Sequence, residues 1–358
     1  LDFYTNVRQY GKYILYRGVE HGKRVARRVE YRPTFFVPTK KHSKYKTLAG
    51  QSVEPIEPGD INDAYTFLQQ YKDVETFPIY GNNRYEYTYI SDQFSDDIIW
   101  DKKYLTIAYL DIEVGSESGF PDPKIAAEEV LAITVKLDEH FYSFGVGDYV
   151  PHIPNVTYTK CENEIELLRK FLDFWSTTYP DIVSGWYVKF FDIPYLINRM
   201  MRVLGEKEAS KISPWKKVRL RETTIMNREL ESYEIFGIST LDYVDLFKKY
   251  SPVAAQESYR LDHVAFIELG ERKMDYSEHE TLHQLYKKDF QKYIEYNIHD
   301  ADLVARIEES GMRSSKLIEL ALTLAYDNKV NYDDVFTQVR MWDAIIFNHL
   351  KKKNIVVP

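Results

Sequence analysis

The pattern of apolar and polar positions divides the chain into three stretches. In the first, 1–103, β-branched and aromatic residues recur over Tyr10–Tyr16 and Val25–Phe36, set apart by Gly18 and Gly22, which predicts strands. Asn62–Tyr71 predicts one short helix there. The second stretch, 104–312, opens with an apolar run, Tyr104–Val114, which predicts a buried strand, with Val130–Val135 and Phe141–Val146 as its neighbours. Asn163 followed by Glu166 has the form of a capping box. Ile165, Leu168, Leu172 and Trp175 then recur at helical spacing until Pro180. Ile182 and Val183 begin another strand, broken at Gly185, and Pro194 suits the first turn of a helix. Arg219–Phe236 predicts a hairpin, Ser239–Tyr250 a strand running into a helix, and Phe290–Glu309 a long helix. The third stretch, 313–358, is helical over Leu317–Tyr326 and Trp342–Leu350 and carries the basic run Lys351, Lys352, Lys353. Strands followed by helices predict an α/β layered domain with a mixed sheet, after a β-rich α+β domain.

Composition narrows the function classes. A length of 358 residues exceeds one typical domain and predicts two. The single cysteine, Cys161, excludes an intramolecular disulfide and suits a reducing cytoplasm. No signal peptide and no membrane-spanning apolar run is evident. A net charge of −8 argues against a general DNA-coating protein. It is compatible with an enzyme that holds nucleic acid through cations on its carboxylates. The 30 tyrosines either fill cores or stack on bases. Basic clusters at Lys23, Arg24, Arg27, Arg28 and at Lys40, Lys41, Lys44, Lys46 interleave with Tyr31, Phe35, Phe36 and Tyr45. They are either solvated surface or a single-stranded nucleic-acid site. The start at Leu1 without a methionine, and an end at Pro358 without a terminating element, lead us to expect the front of something longer.

The candidate chemistry is a set of carboxylates. Asp111 and Glu113 are two apart on a predicted strand and project to one side, with Ile112 to the other. Two such acids repel unless a cation lies between them, so they form either a divalent-metal site or a pair of solvated strand-end acids. Asp192 follows the glycine-broken strand, where it is either an active carboxylate or a helix N-cap. Tyr296 and Asp300 share a helical face with Leu303 and Ile307, an inward stripe on which an unpaired carboxylate is costly. A nearby cation or a tyrosine–aspartate hydrogen bond would each relieve it, and His299 points elsewhere.

An acidic pair on a strand, an acid after a glycine-broken strand and a late Tyr-x-x-x-Asp helix resemble the DnaQ-like proofreading exonucleases of the ribonuclease-H-like fold. The flanking runs are Asp111–Val114, Gly119–Pro121, Phe191–Tyr195, Ser239–Tyr243, Tyr296–Ile298 and Trp342–Phe347. They resemble the amino-terminal half of family B DNA polymerases of T-even-type phages, over nearly the whole chain and without a polymerase catalytic motif. The resemblance implies a polymerase amino-terminal domain at 1–103, a 3′→5′ exonuclease at 104–312 and a helical return at 313–358. It implies two Mg²⁺ or Mn²⁺ ions on Asp111, Glu113, Asp192 and Asp300, with Tyr296 orienting the attacking water. Phe120 falls where the family has an aromatic beside the terminal bases, with core packing as the alternative. Lys216, Lys217, Arg219 and Arg221 would give the hairpin a phosphate-binding face. Expected partners are single-stranded or frayed 3′ DNA ends and a polymerase domain, in cis or as a separate chain. Structured RNA on the amino-terminal domain is an alternative, and the expected location is a host cytoplasm if the gene is a phage's. One departure stands out: the family has asparagine after Gly-Trp in its second motif, where this chain has Tyr187.

Overall fold

The computed structural model describes every residue except 118, 226 and 358, so the Pro358 terminus lies outside the described residues. The chain divides into two compact units, Leu1–Tyr104 with Ala321–Pro358, and Leu105–Leu320.

The first unit opens with an antiparallel meander, β1 (Phe3–Tyr10), β2 (Tyr13–Glu20) and β3 (Lys23–Glu30). The run Tyr10–Tyr16, expected to be one strand, is split by the turn at Gly11, because Tyr10 and Tyr13 pair across it. Gly18 lies inside β2 and does not separate strands: a Cβ there would sit 2.6 Å from the Phe3 carbonyl oxygen. Val25–Phe36 likewise divides, into β3 and β4 (Phe35–Pro38). Then follow β5 (Lys46–Thr47), β6 (Val53–Ile56), α1 (Ile61–Tyr71) and α2 (Tyr85–Gln93), the last with no counterpart in the hydropathy pattern. Tyr31 and Phe35 are buried, and the Tyr31 hydroxyl donates to Asp92 Oδ2 at 2.6 Å. Two of the four rings interleaved with the basic clusters are therefore core, which removes them from any base-stacking surface.

The second unit is built on a six-stranded mixed sheet. Its strands in chain order are β7 (Ile107–Val114), β8 (Val130–Leu137), β9 (His140–Gly145), β10 (Val156–Lys160), β11 (Ile182–Gly185) and β14 (Ser239–Asp242). The spatial order is β10-β9-β8-β7-β11-β14. The β7–β8 and β8–β9 pairs are antiparallel and the others parallel. Between β10 and β11 runs α3 (Glu164–Thr178), and after β11 come α4 (Asp192–Leu204) and the short α5 (Glu206–Ala209). The hairpin β12 (Val218–Ile225) with β13 (Arg228–Ile235) precedes β14. It is followed by α6 (Tyr243–Tyr250), α7 (Leu261–Leu269), α8 (Leu282–Lys288) and α9 (Phe290–Ser310). Asn163 caps α3 by accepting from the Glu166 N–H at 3.0 Å, but Glu166 reaches back to the Glu162 N–H, one residue before the expected partner. Ile165 is exposed, and the buried stripe of α3 runs through Leu168, Phe171, Leu172 and Trp175.

Two cores sandwich the sheet. Ile112, Ile133 and Val135 pack with Leu168, Phe171 and Leu196 against α3 and α4. Leu131 and Ala132 pack with Leu285, Tyr293, Ile294 and Ile298 from α8 and α9. Period-two alternation sends Asp111 and Glu113 to the α9 side, opposite Thr134 and Ala132 of β8. A register shift between Glu113 and Val114 ends the regular pairing there.

The chain then returns to the first unit through α10 (Leu317–Asn328), within which the division falls, then α11 (Gln338–Lys352) and β15 (Ile355–Val356), parallel to β5. The return was expected from 313. In the first unit Tyr4, Tyr326 and Tyr332 form one buried aromatic cluster, so at least these tyrosines fill the core. Among the described residues no helix is long and apolar enough to cross a membrane.

Candidate active site

The site begins with the strand that carries the first two acids. β7 delivers Asp111 and Glu113 to the sheet face covered by α9, and α9 delivers Asp300 to the same place. One carboxylate oxygen from each lies within 4.8 Å of the other two. The third acid arrives differently. Asp192 is the first residue of α4, yet it does not cap that helix in the expected manner. Its Oδ1 accepts the Ile112 N–H at 3.0 Å, which ties the helix start to the strand between the two acids. Asp192 stands outside the three-oxygen group, but its charge is felt by both Asp111 and Glu113.

Burial without full neutralisation sets the electrostatics. Asp111 is held well above the ordinary carboxylate range by burial first, then by Asp300, Glu113 and Asp192. Glu113 is pushed up to about 8 by burial and Asp300, and Asp192 to about 7 by burial against two backbone N–H bonds. Asp300 is raised by burial, opposed by the Lys273 ammonium, whose Nζ lies 2.5 Å from Oδ2. The other oxygen of Asp300, Oδ1, is buried with no hydrogen-bond partner. Three converging acids, one of them with an unpartnered oxygen, are the donor set that a hard divalent cation completes. The residues present therefore fit such an ion.

Tyr296, one turn before Asp300, is buried, and its phenol is held well above its ordinary range by burial first and then by the Asp300 charge, with Lys273 opposing. Lys273 Nζ also sits 4.8 Å from the centre of the Tyr296 ring, and Tyr276 meets that ring edge-on. Asn297 fixes the strand side: its Nδ2 donates to Asp111 Oδ2 at 2.7 Å, and its Oδ1 accepts from the Thr134 hydroxyl at 2.5 Å. Thr134 is paired in turn with Ser143 Oγ at 2.9 Å.

The chain matches the family model described as "DNA polymerase family B, exonuclease domain" over residues 72–264, more than half its length. It belongs to the exonuclease-domain family of the family B DNA polymerases. Among curated relatives it is 34% identical to a DNA-directed DNA polymerase of Escherichia phage RB69 and 32% identical to that of Enterobacteria phage T4. Each alignment covers 100% of this chain and 42% of the relative, so the chain spans about two fifths of their length. A DNA polymerase delta catalytic subunit of Caenorhabditis elegans is 27% identical over 59% of this chain and 20% of its own. The family match ends before α9, so Tyr296 and Asp300 lie beyond it and within the phage alignments.

In this family B chain, the five residues singled out by motif are gathered around one site, four of them carboxylates. Phe120 is 80% exposed and packs its ring 4.9 Å from that of Phe191, which rules out the core alternative. The four basic residues are on the β12–β13 hairpin or just before it, not in the carboxylate cluster. Arg221 donates to Glu234 Oε2 at 2.8 Å, and Arg219 lies 3.6 Å from the same oxygen, so part of that basic face is neutralised within the hairpin.

Three residues of the site carry no role in the sequence reading, although two of them, Asn297 and Asp242, lie within the runs that resemble the family. Asn297 could have been found as an amide inside the apolar face of a long helix. Lys273 had no local signal, since it comes from a loop after α7. Asp242 is the third: buried, pushed up to about 7, it accepts N–H bonds from Tyr187 (3.2 Å), Lys189 (2.9 Å) and Val244 (3.1 Å). It caps α6 and also shapes the turn that leads into Asp192. That turn is close-packed, because a Cβ on Gly185 would meet the Leu110 carbonyl oxygen at 2.5 Å. Tyr187 itself has φ +63°, a left-handed conformation that asparagine tolerates better than a bulky residue.

Proposed function

We propose that this chain is a 3′→5′ exonuclease module that removes nucleotides from single-stranded or frayed DNA ends as nucleoside 5′-monophosphates. The observation that carries the reading is the convergence of Asp111, Glu113 and Asp300 in a buried place that one lysine leaves under-neutralised. Asp111, Glu113, Asp192 and Asp300 would hold two divalent ions, Mg²⁺ or Mn²⁺. When bound, these supply charge neutralisation at the scissile phosphate and a more acidic water. Tyr296, packed against Lys273 and Tyr276, would aim its phenol at the attacking water. Lys273 would carry positive charge beside the same phosphate once Asp300 turns to a cation. Phe120 would offer its open face to a terminal base. A stacked duplex end must melt before it can reach a buried site, and a mispaired end melts at lower cost, which gives the module a means of proofreading. The first unit would be the polymerase amino-terminal domain, with the polymerase domain in cis or as a separate chain. The RNA-binding alternative gains no support from the structure or the relatives.

The test is digestion of a 5′-labelled single-stranded oligonucleotide with Mg²⁺ or Mn²⁺. A ladder should shorten from the 3′ end, vanish with chelator, and fall at least about a thousandfold in rate in an Asp111→Ala, Glu113→Ala variant. Absence of any ladder from the unsubstituted chain, at high enzyme and in both metals, would defeat the reading.

A further inference from the structure

We infer that Tyr187, Lys248 and Tyr259 form a subsite that grips single-stranded DNA beside the carboxylate cluster, by stacking on a base and neutralising the adjoining phosphate. The inference rests on the exonuclease reading above and assigns a role to the position where this chain departs from its family.

The placement comes from the backbone. β11 runs parallel to β7, with Ser184 opposite Tyr109, so the strand end at Gly185 lies against Leu110, next to Asp111. Tyr187 emerges two residues later. Its N–H is held by Asp242, and its carbonyl accepts from the Phe190 N–H (3.2 Å) and the Phe191 N–H (3.0 Å). The backbone of Tyr187 is thereby held in a tight turn that runs to Asp192. A tyrosine in the left-handed region is strained, and such residues persist where the surroundings enforce them, often at binding sites. Burial does not compensate this one, because Tyr187 is 44% exposed.

The surroundings supply the rest of a nucleic-acid grip. Lys248 of α6 is exposed, and its Nζ lies 5.5 Å from the Tyr187 ring centre and 5.2 Å from that of Tyr259. Tyr259 is anchored from the Trp186 side, since the Trp186 indole N–H donates to the Tyr259 carbonyl at 3.0 Å. An ammonium between two partly exposed rings matches one repeat of a single strand, in which each π-faced base is followed by an anionic phosphate. Every base has such a face, so the grip is blind to sequence, as removal of successive nucleotides requires.

The test is binding of a 5′-labelled oligothymidylate, read by fluorescence anisotropy in chelator so that no cleavage occurs. Tyr187→Asn should weaken binding about five- to a hundredfold, while Tyr187→Phe, which keeps the ring, stays within about twofold. Asparagine suits the left-handed backbone, and a melting temperature at or above that of the unsubstituted chain will confirm that the variant folds. Lys248→Gln should flatten the dependence of log affinity on log salt by about 0.7. Parental affinity in Tyr187→Asn, an equal loss in Tyr187→Phe, or an unchanged salt slope in Lys248→Gln would each overturn the inference. Digestion by the unsubstituted chain separates the two readings. If it produces a ladder while Tyr187→Asn binds normally, only the subsite falls; if it produces none, the exonuclease reading falls.

Discussion

On one face of the second unit's sheet, a buried carboxylate is satisfied; on the other, buried carboxylates are not. Glu164, at the start of α3, receives Arg199 of α4 as a two-pronged pair, with both N···O distances 2.7 Å, and also accepts the Val130 N–H at 2.8 Å. The remaining Arg199 nitrogen donates to the carbonyls of Ala127 and Ala126. Every strong donor and acceptor there has a partner, and the pair pins two helices to the loop before β8. Across the sheet, Asp111, Glu113 and Asp300 converge on one another with a lysine paired to Asp300 alone, and an oxygen of Asp300 has no hydrogen-bond partner. Burial is the same in kind, but the consequence differs. A closed set of charges holds the fold, whereas an open set raises the free energy of the fold until a cation completes it.

That contrast predicts opposite signs for charge removal. Arg199→Ala strands a buried carboxylate and should cost about 3–5 kcal/mol. In a unit of this size that lowers the melting temperature by roughly 6–20 °C. Asp111→Asn keeps an acceptor for the Asn297 amide while removing one repelling charge, so in chelator it should leave the melting temperature unchanged or raise it. Thermal denaturation of both variants checks the pair. A fall of similar size in each would show that the two regions are alike.

The legibility of the sequence followed the same line. Period-two alternation places Asp111 and Glu113 on one side of β7, and period-3.6 spacing places Tyr296 with Asp300, because both are properties of a single element. Position across elements is not so encoded. Nothing near Lys273 says that its loop reaches α9, and nothing near Asp242 says that it shapes the turn before Asp192. The amino-terminal strands were misread for a related reason. Aromatic and β-branched residues continue through the turns at Gly11 and at 31–34, so composition could not mark the breaks. Ile165 was misplaced because an apolar residue at the first turn of a helix need not face the core.

A smaller effect should come from the amide that joins the two faces of the site. Asn297 orients Asp111 and is itself held by Thr134, so Asn297→Ala should weaken Mn²⁺ binding about 10–100-fold, measured by calorimetric titration. The carboxylates stay in place in this variant. An unchanged Mn²⁺ affinity would mean that Asp111 is positioned by its strand alone, and the amide would then belong with the closed, structural set.

The gentlest test is pH. Glu113 (about 8) and Asp192 (about 7) titrate well above the ordinary carboxylate value near 4, which they regain on unfolding. Between those limits the folded chain binds more protons than the unfolded one, so stability falls as pH rises, and Asp111 and Asp300, also raised, add in the same sense. Surface acids such as Asp60 and Asp101, held low mainly by backbone hydrogen bonds, titrate below this window with the opposite sign. In chelator the melting temperature should therefore decline from about pH 5 to about pH 8. Saturating Mg²⁺ or Mn²⁺ favours the ionised acids and should remove most of the decline. A remainder should persist from Asp242, which is pushed up to about 7 but has its oxygens taken by backbone N–H groups. If the melting temperature instead climbs with pH in chelator, Lys273 already neutralises the cluster, and the distinction between the closed and the open sets of buried charge collapses.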